Sequence, residues 1–264
     1  IRGATVHTAG PEGTLANADV LVEGGIIRAV GPGLAAPTGV PVVEANGRPL
    51  TPGLFAGLTG LGIEEVSGER NTVDTAIAMG GMVPPHEPTW RPEFAVTLAF
   101  NPRSATIGVN RAEGLTWTVL APGAVPGGSF VAGQGSAVVL DGRWEAALDG
   151  SRSLFITLGE RAAALSGGSR AGQWMLLDQA LVESRPSFQA MSHGLLTQAG
   201  KQAFARYFAG GRVVFHADRA VDIRQAVAFA RRSGMKPVIA GGAEAWIVAE
   251  ELAREGVPVL VDAL

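Results

Sequence analysis

From residue 53 onward, short apolar runs alternate with longer amphipathic stretches, and this alternation constrains the fold more than any other feature. The short runs predict buried strands, and apolar residues at i, i+3, i+4 and i+7 predict helices. Strands that alternate with helices are typical of parallel βα units in an α/β fold. The predicted strands are 53–59, 115–121, 136–141, 153–159, 212–217, 236–241 and 257–264, and the clearest helices are 169–184, 201–210, 220–234 and 243–256.

The first fifty residues follow a different pattern. Short alternating strands are separated by turn signals at Gly24-Gly25, Gly31-Pro32 and Asn46-Gly47, which predicts an all-β segment. We therefore expect a β-sandwich segment over 1–50 and a (β/α) TIM barrel domain over 51–264. A closed barrel needs eight strands, so the seven predicted here indicate an incomplete barrel that lacks the final strand or strands.

Two segments of the second domain lack helical or strand periodicity. The Pro-rich stretch 80–93 predicts a surface loop. The Gly-rich stretch 126–140 precedes a strand instead of following one, which is the wrong order for a phosphate-binding loop. We interpret it as a turn that lets the backbone run close beneath a pocket.

Composition excludes several classes of function. The net charge is −3 without a basic cluster, which makes nucleic acid an unexpected partner. The apolar runs are too short to predict a membrane span, and the opening residues do not predict a signal peptide. The chain has no cysteine, which rules out disulfides, zinc–thiolate sites and thiol nucleophiles. These features fit either the periplasm or the cytoplasm of a bacterium and leave the compartment unknown.

Five motifs occur in the order in which they occur in one hydrolase family. They are "IRGATVHTAGPEGTLANADVLVEGGIIRAVG", "GRPLTPGLFAGLTGLG", "AEGLTWTVLAPG", "VVFHADRAVDIRQAVAFA" and "VIAGGAEAW". Together they resemble the imidazolonepropionase-like amidohydrolases over nearly the whole chain. The resemblance implies an amidohydrolase-type barrel in which one or two divalent metals lie at the carboxyl ends of the strands. Such a metal activates water for attack on a carbonyl or imine carbon.

Most of the metal ligands that the resemblance implies are absent. The two histidines of the first barrel strand correspond to Leu58 and Gly60, and the lysine of the fourth strand corresponds to Phe155 or a neighbour. The histidine of the fifth strand is retained as His216, whereas that of the sixth corresponds to Gly241. The aspartate of the eighth strand would lie beyond Leu264. One imidazole does not make a zinc site, which needs three or four converging ligands.

The remaining polar residues each have two interpretations. His216 and Glu244 are the candidate catalytic residues, although His216 also fits a buried, hydrogen-bonded structural histidine. Glu160, Arg170 and Arg70 are candidate ligand-binding residues or solvated loop charges. The acidic segment 64–74 has oxygen ligands but no calcium-loop spacing. Ser192 and His193 are adjacent and predict no catalytic dyad, and His86 is expected to be solvent-exposed.

Three functions remain open. We favour a catalytically degenerate amidohydrolase-like protein whose metal-free pocket binds a small molecule or which pairs with an active relative, as a homo- or hetero-oligomer without cofactor. The second is an active hydrolase of C–N bonds other than peptide bonds, with one divalent metal such as zinc in a rebuilt site whose ligands would come from His216, Glu244 and the acidic segment 64–74. The third is an interaction module completed by another chain.

Overall fold

The computed structural model describes residues 1–84, 87–185 and 194–261, which form two compact units, Ile1–Phe55 and Ala56–Leu264. None of the helices formed by these residues is long and apolar enough to cross a membrane.

The first unit contains one four-stranded sheet. Its strands are β1 (Ala4–His7), β2 (Thr14–Glu23), β3 (Ile26–Gly31) and β4 (Pro49–Leu50), arranged in the order β3-β2-β1-β4. β2 pairs antiparallel with β1 and β3, and β4 pairs parallel with β1. The predicted second layer of a sandwich is not confirmed within this unit. Much of 41–50 is irregular, because its valines Val42 and Val43 are exposed and bury no apolar face.

The larger unit contains two sheets. β5 (Leu54–Thr59) leads into it and forms a three-stranded sheet with β6 (Leu115–Leu120) and β8 (Ala137–Val139), in the order β5-β6-β8. The other sheet has the order β12-β11-β10-β9-β7. Its strands are β7 (Val131–Gly135), β9 (Ser153–Thr157), β10 (Arg212–Ala217), β11 (Lys236–Gly241) and β12 (Val259–Val261).

Five α-helices accompany these sheets in the described part of the chain. They are α1 (Ala105–Ala112), α2 (Arg170–Glu183), α3 (Gln198–Ala205), α4 (Ala220–Arg232) and α5 (Ala249–Arg254). Short 3-10 turns occupy Arg70–Thr72, Val96–Ala99, Gly159–Ser166, Arg206–Ala209 and Ala245–Val248. α4 shows why the periodicity prediction succeeds: its buried residues include Ile223, Ala226, Val227 and Ala230, at helical spacing.

The five-stranded sheet is apolar on both faces, as expected for parallel strands covered on both sides. Ile156, Phe215 and Ile239 belong to the largest core cluster, which also contains Leu177 of α2 and Phe229 of α4. The alternate residues Phe155, Val214 and Ala240 form a second cluster with Ala132. Leu58, Val119, Ala121 and Val238 pack against that second cluster. Side chains from the two sheets therefore share one apolar interior.

The predicted barrel is not confirmed, because the strands of the described residues form two separate sheets and no closed barrel. β9 to β12 are parallel, as predicted. However, β7 runs antiparallel to β9, and β8 runs antiparallel to β6. The alternating pattern of a strand does not encode the direction of its partner, which explains this error.

Two segments that were predicted to be loops contain buried core residues. The stretch 126–140, interpreted as a turn, contains the fully buried strand β7. Its glycines weaken the strand pattern in the sequence. Close backbone contacts require them, because a Cβ at Gly135 would lie 1.8 Å from Leu120 O and one at Gly133 would lie 2.6 Å from Phe94 O. In the predicted surface loop 80–93, Trp90 is buried and packs edge-on against Phe130, with ring centroids 4.8 Å apart.

Candidate functional site

The candidate site lies at the carboxyl edge of β9, β10 and β11, where open α/β sheets bind their ligands. His216 is half-buried near the end of β10. In the sheet register it lies between Thr157 of β9 and Ala240 of β11. Because side chains alternate along a strand, His216 shares a face with Val214, which belongs to the interior apolar cluster. His216 therefore stands at the polar end of that interior.

Gly241 brings His216 and Asp218 to one point. Gly241 ends β11 with a φ of +85°, and a Cβ placed there would lie 2.5 Å from Asp218 Oδ1 and 3.2 Å from His216 Nε2. The imidazole and the carboxylate thus occupy the space that a side chain at position 241 would need. Arg161 forms an ion pair with Asp218, with 3.2 Å between Nε and Oδ2.

Glu244 lies near His216 and Asp218, and its hydrogen bonds are to backbone groups. Its N–H donates to Asp218 O at 2.8 Å, and its carboxylate Oε2 accepts a hydrogen bond from Ala220 N at 2.8 Å. Ala220 is the first residue of α4, so Glu244 caps that helix and places negative charge at its positive end. The structure therefore places His216 and Glu244 at one edge, where Glu244 caps α4, and their catalytic role stays a prediction.

Charged residues at the same edge are paired. Arg170 Nη1 donates to both carboxylate oxygens of the buried Asp222, at 3.2 and 3.0 Å. Glu160, which is largely exposed, pairs with Arg219. Two of the three predicted ligand-binding residues, Glu160 and Arg170, therefore lie in short turns or helix starts beside the candidate site, and each is paired with a different residue.

Arg70 is not brought into this arrangement. It lies exposed in the turn Arg70–Thr72 and makes no side-chain hydrogen bond or ion pair with another described residue. In the same acidic segment, Glu65 accepts hydrogen bonds from Asn101 Nδ2 at 3.2 Å and Ser104 Oγ at 2.8 Å. Ser104 is the N-cap of α1, so Glu65 supports that helix start. His86, Ser192 and His193 lie outside the described residues.

The positions implied for metal ligands do not fit a metal. Leu58 packs against the apolar cluster that contains Phe155, and Gly60 faces Glu64, whose Oε2 would lie 3.1 Å from an added Cβ. Within residues 1–84, 87–185 and 194–261, there is no group of three or more His, Cys, Asp or Glu side chains that could hold a metal ion. A zinc ion needs three or four such donors, so this donor set does not fit the metal centre that the resemblance implies.

Sequence reasoning missed Asp218, Asp222, Arg161 and Arg219. A signal existed for the two aspartates. Asp218 follows His216 by two residues at the end of a predicted strand, where barrel sites gather their polar groups. Asp222 lies in the first turn of α4, where acidic side chains are favoured. The partners of the two arginines depend on loops that are distant in sequence, and no local pattern indicates them.

Comparison with known proteins agrees with this geometry at the level of the fold. The structure of an amidohydrolase from Thermotoga maritima MSB8 is similar to this chain with a TM-score of 0.69 and 21% sequence identity. The fold is amidohydrolase-like. The match covers all of this chain and 69% of that one. No protein-family profile matches the chain, and neither does any curated protein. The imidazolonepropionase-like subtype stays a prediction from the motifs.

Proposed function

We propose that this protein is a catalytically degenerate relative of the amidohydrolases that binds a small molecule at the carboxyl edge of β9, β10 and β11 without a catalytic metal. One observation carries the proposal. The interior that would hold metal ligands is apolar at Leu58 and Phe155, and the space at Gly241 is taken up by His216 and Asp218. The similar solved structure is that of an amidohydrolase, which supports descent from a hydrolase of C–N bonds.

The site offers a definite chemistry for such a ligand. His216 presents an imidazole, and Asp218 presents a carboxylate whose charge is balanced by Arg161. Below them lies the apolar cluster of Phe155 and Val214. A small compound with an amide or ring N–H would donate that group to the partly exposed Asp218 carboxylate beside the imidazole. Cyclic amides and blocked dipeptides have this form.

A second candidate function is an active hydrolase with a rebuilt metal site, and the convergence of His216 Nε2 and Asp218 Oδ1 favours it. Two donors bind a divalent ion weakly unless further ligands join them. In that case Asp218, and not the helix-capping Glu244, would be the second ligand.

Elemental mass spectrometry on protein purified without chelator separates the two candidates. The degenerate-site proposal expects far less than one metal ion per chain, equal in the parent, in His216→Ala and in the control His7→Ala. His7 is an exposed histidine in the first unit and is bonded to Thr14. A stoichiometric metal that is present in the parent and in His7→Ala but lost in His216→Ala would overturn the proposal.

Ligand binding is tested on the same three proteins with a panel of cyclic amides and blocked dipeptides. We expect a rise in melting temperature without hydrolysis of the compound, lost in His216→Ala and kept in His7→Ala. Turnover that depends on His216 would favour the rebuilt hydrolase instead.

A further inference from the structure

A cavity of about 440 Å³ lies at the amino edge of the five-stranded sheet, where β10 and β11 begin. The apolar residues that line it include the buried side chains Val227, Met235 and Val257. The charged side chains that line it are all exposed, and they are Arg212, Arg231, Lys236 and Glu255. We call these four residues and the cavity the Lys236 pocket.

The charges of the Lys236 pocket do not balance. Arg231 and Glu255 form an ion pair of 3.1 Å. Arg212 donates to a neutral acceptor, Ser151 O, at 3.4 Å. Neither Arg212 nor Lys236 forms an ion pair with any residue that the structure describes. Two positive charges of the pocket are therefore not neutralised within the described part of the chain.

These two cations are neighbours in the sheet. Arg212 pairs with Lys236 in the parallel register of β10 and β11, and each is the first residue of its strand. The backbones of register partners lie about 5 Å apart, and their side chains leave the same face of the sheet. Like charges at this spacing repel each other, so a bound anion with two negative charges would replace a repulsion with two attractions.

The carboxyl end of α4 is another feature that favours positive charge near this edge. Arg231 and Arg232 occupy the last turn of α4, and each of them is paired with a carboxylate. Arg212 and Lys236 belong to strands instead. The helix end therefore accounts for the paired arginines and leaves the two strand cations unexplained.

We infer that the Lys236 pocket binds a small organic dianion with an apolar body, such as a phosphate monoester or an aromatic dicarboxylate. Its charged end lies between Arg212 and Lys236, where the guanidinium group can donate two parallel hydrogen bonds. Its body contacts the apolar lining of the cavity. The inference is independent of the proposed function, because His216 lies four residues further along β10, about 13 Å from Arg212.

Isothermal titration calorimetry of the full chain tests the inference with phenyl phosphate, phthalate, inorganic phosphate and phenol. We expect one of the two organic dianions to bind at a single site, and the tighter one identifies the charged group. Inorganic phosphate lacks the apolar body and should bind more weakly, and phenol lacks the charge and should not bind. If both organic dianions fail to bind at millimolar concentration, or bind no more tightly than inorganic phosphate, the inference is wrong.

Substitutions locate the site. Lys236→Met and Arg212→Gln should each raise the dissociation constant about 10-fold, because each removes a charged hydrogen-bond donor. Arg103→Gln is the control, since Arg103 is an exposed arginine before α1, and it should leave the constant unchanged. A dissociation constant that is the same in Lys236→Met as in the parent overturns the inference.

The melting temperature of ligand-free Lys236→Met gives a second readout. Methionine keeps most of the apolar stem of lysine and removes the charge. If Lys236 were there to stabilise the fold, the variant would melt at a lower temperature than the parent. We expect an equal or higher melting temperature at low salt, because one of two repelling charges is gone. A clear decrease in the melting temperature contradicts the inference.

Discussion

His216 and Gly241 face each other across neighbouring strands: a Cβ on Gly241 would lie 3.1 Å from His216 Cδ2. The same Cβ would be 2.5 Å from Asp218 Oδ1, which is closer than real side chains approach. Glycine at this position is therefore part of how the imidazole and the carboxylate are held together. It also means that the histidine of a metal-binding relative could not be restored there without displacing both groups.

Gly241→Ala should lower the free energy of unfolding by at least about 2 kcal/mol, because it combines left-handed backbone strain with overpacking. Gly256→Ala separates the two causes. Gly256 also has a positive φ, of 63°, but nothing lies within 4 Å of an added Cβ. Gly256→Ala should lower the free energy of unfolding by about 1 kcal/mol, from backbone strain alone. Urea denaturation measures both, and equal losses would show that Asp218 and His216 do not crowd position 241.

Phe155→Lys should be strongly destabilising, by about 3 kcal/mol or more, because it buries an unpaired ammonium group in an apolar cluster. Phe155 is 5% exposed and packs with Val214 and Ala240. Phe155→Leu keeps the apolar character and should cost about 1 kcal/mol. Denaturation and metal analysis are done on the same samples. A lysine variant as stable as the leucine variant, with bound metal, would contradict the interpretation of the interior as a packed core.

Arg170→Ala should cost about 2 kcal/mol, since it leaves the buried Asp222 carboxylate without its charged donor. The exposed pair of Arg143 and Asp141, 2.9 Å apart, supplies the comparison. Arg143→Ala should change the free energy of unfolding by less than about 1 kcal/mol, as usual for surface pairs. If the two substitutions have the same effect, the burial of Asp222 contributes nothing to the strength of its pairing.

Tyr207 offers a pH prediction that one spectrum can check. It is the single tyrosine of the chain, its hydroxyl donates to Gln134 Oε1 at 3.1 Å, and burial raises its pKa to about 12 against a smaller opposing effect of Arg152 and Arg206. The folded state keeps the phenol proton where the unfolded chain has lost it. The stability from this group is therefore complete below the unfolded pKa of 10.0 and is lost as pH rises toward 12.

Absorbance at 295 nm follows that single phenolate directly. We expect a midpoint near 12 in the folded protein and near 10 in urea. Tyr207→Phe should abolish the signal and flatten the decline in stability between these pH values. A folded-state midpoint near 10 would mean that Tyr207 is hydrated in solution.

Some elements followed from local sequence alone. The strands β10 and β11 begin and end at the predicted residues, and α4 fills most of the predicted helix 220–234. In these segments, apolar spacing, glycine at the ends and charge placement all favour the same structure. β7 is the contrasting case: Gly133 and Gly135 are required by close backbone contacts with Phe94 and Leu120, and these same glycines removed the strand signal.

The chain's own residues also determined that the metal ligands implied by the resemblance are missing, because Leu58, Gly60 and Gly241 have no donor side chains whatever fold surrounds them. Only the tertiary structure decided what replaces them. It placed Leu58 against the cluster of Phe155, set Asp218 against Gly241, and used Glu244 to cap α4. Spacing along the chain reports which faces are buried, whereas the partner of each polar group depends on contacts between residues far apart in sequence.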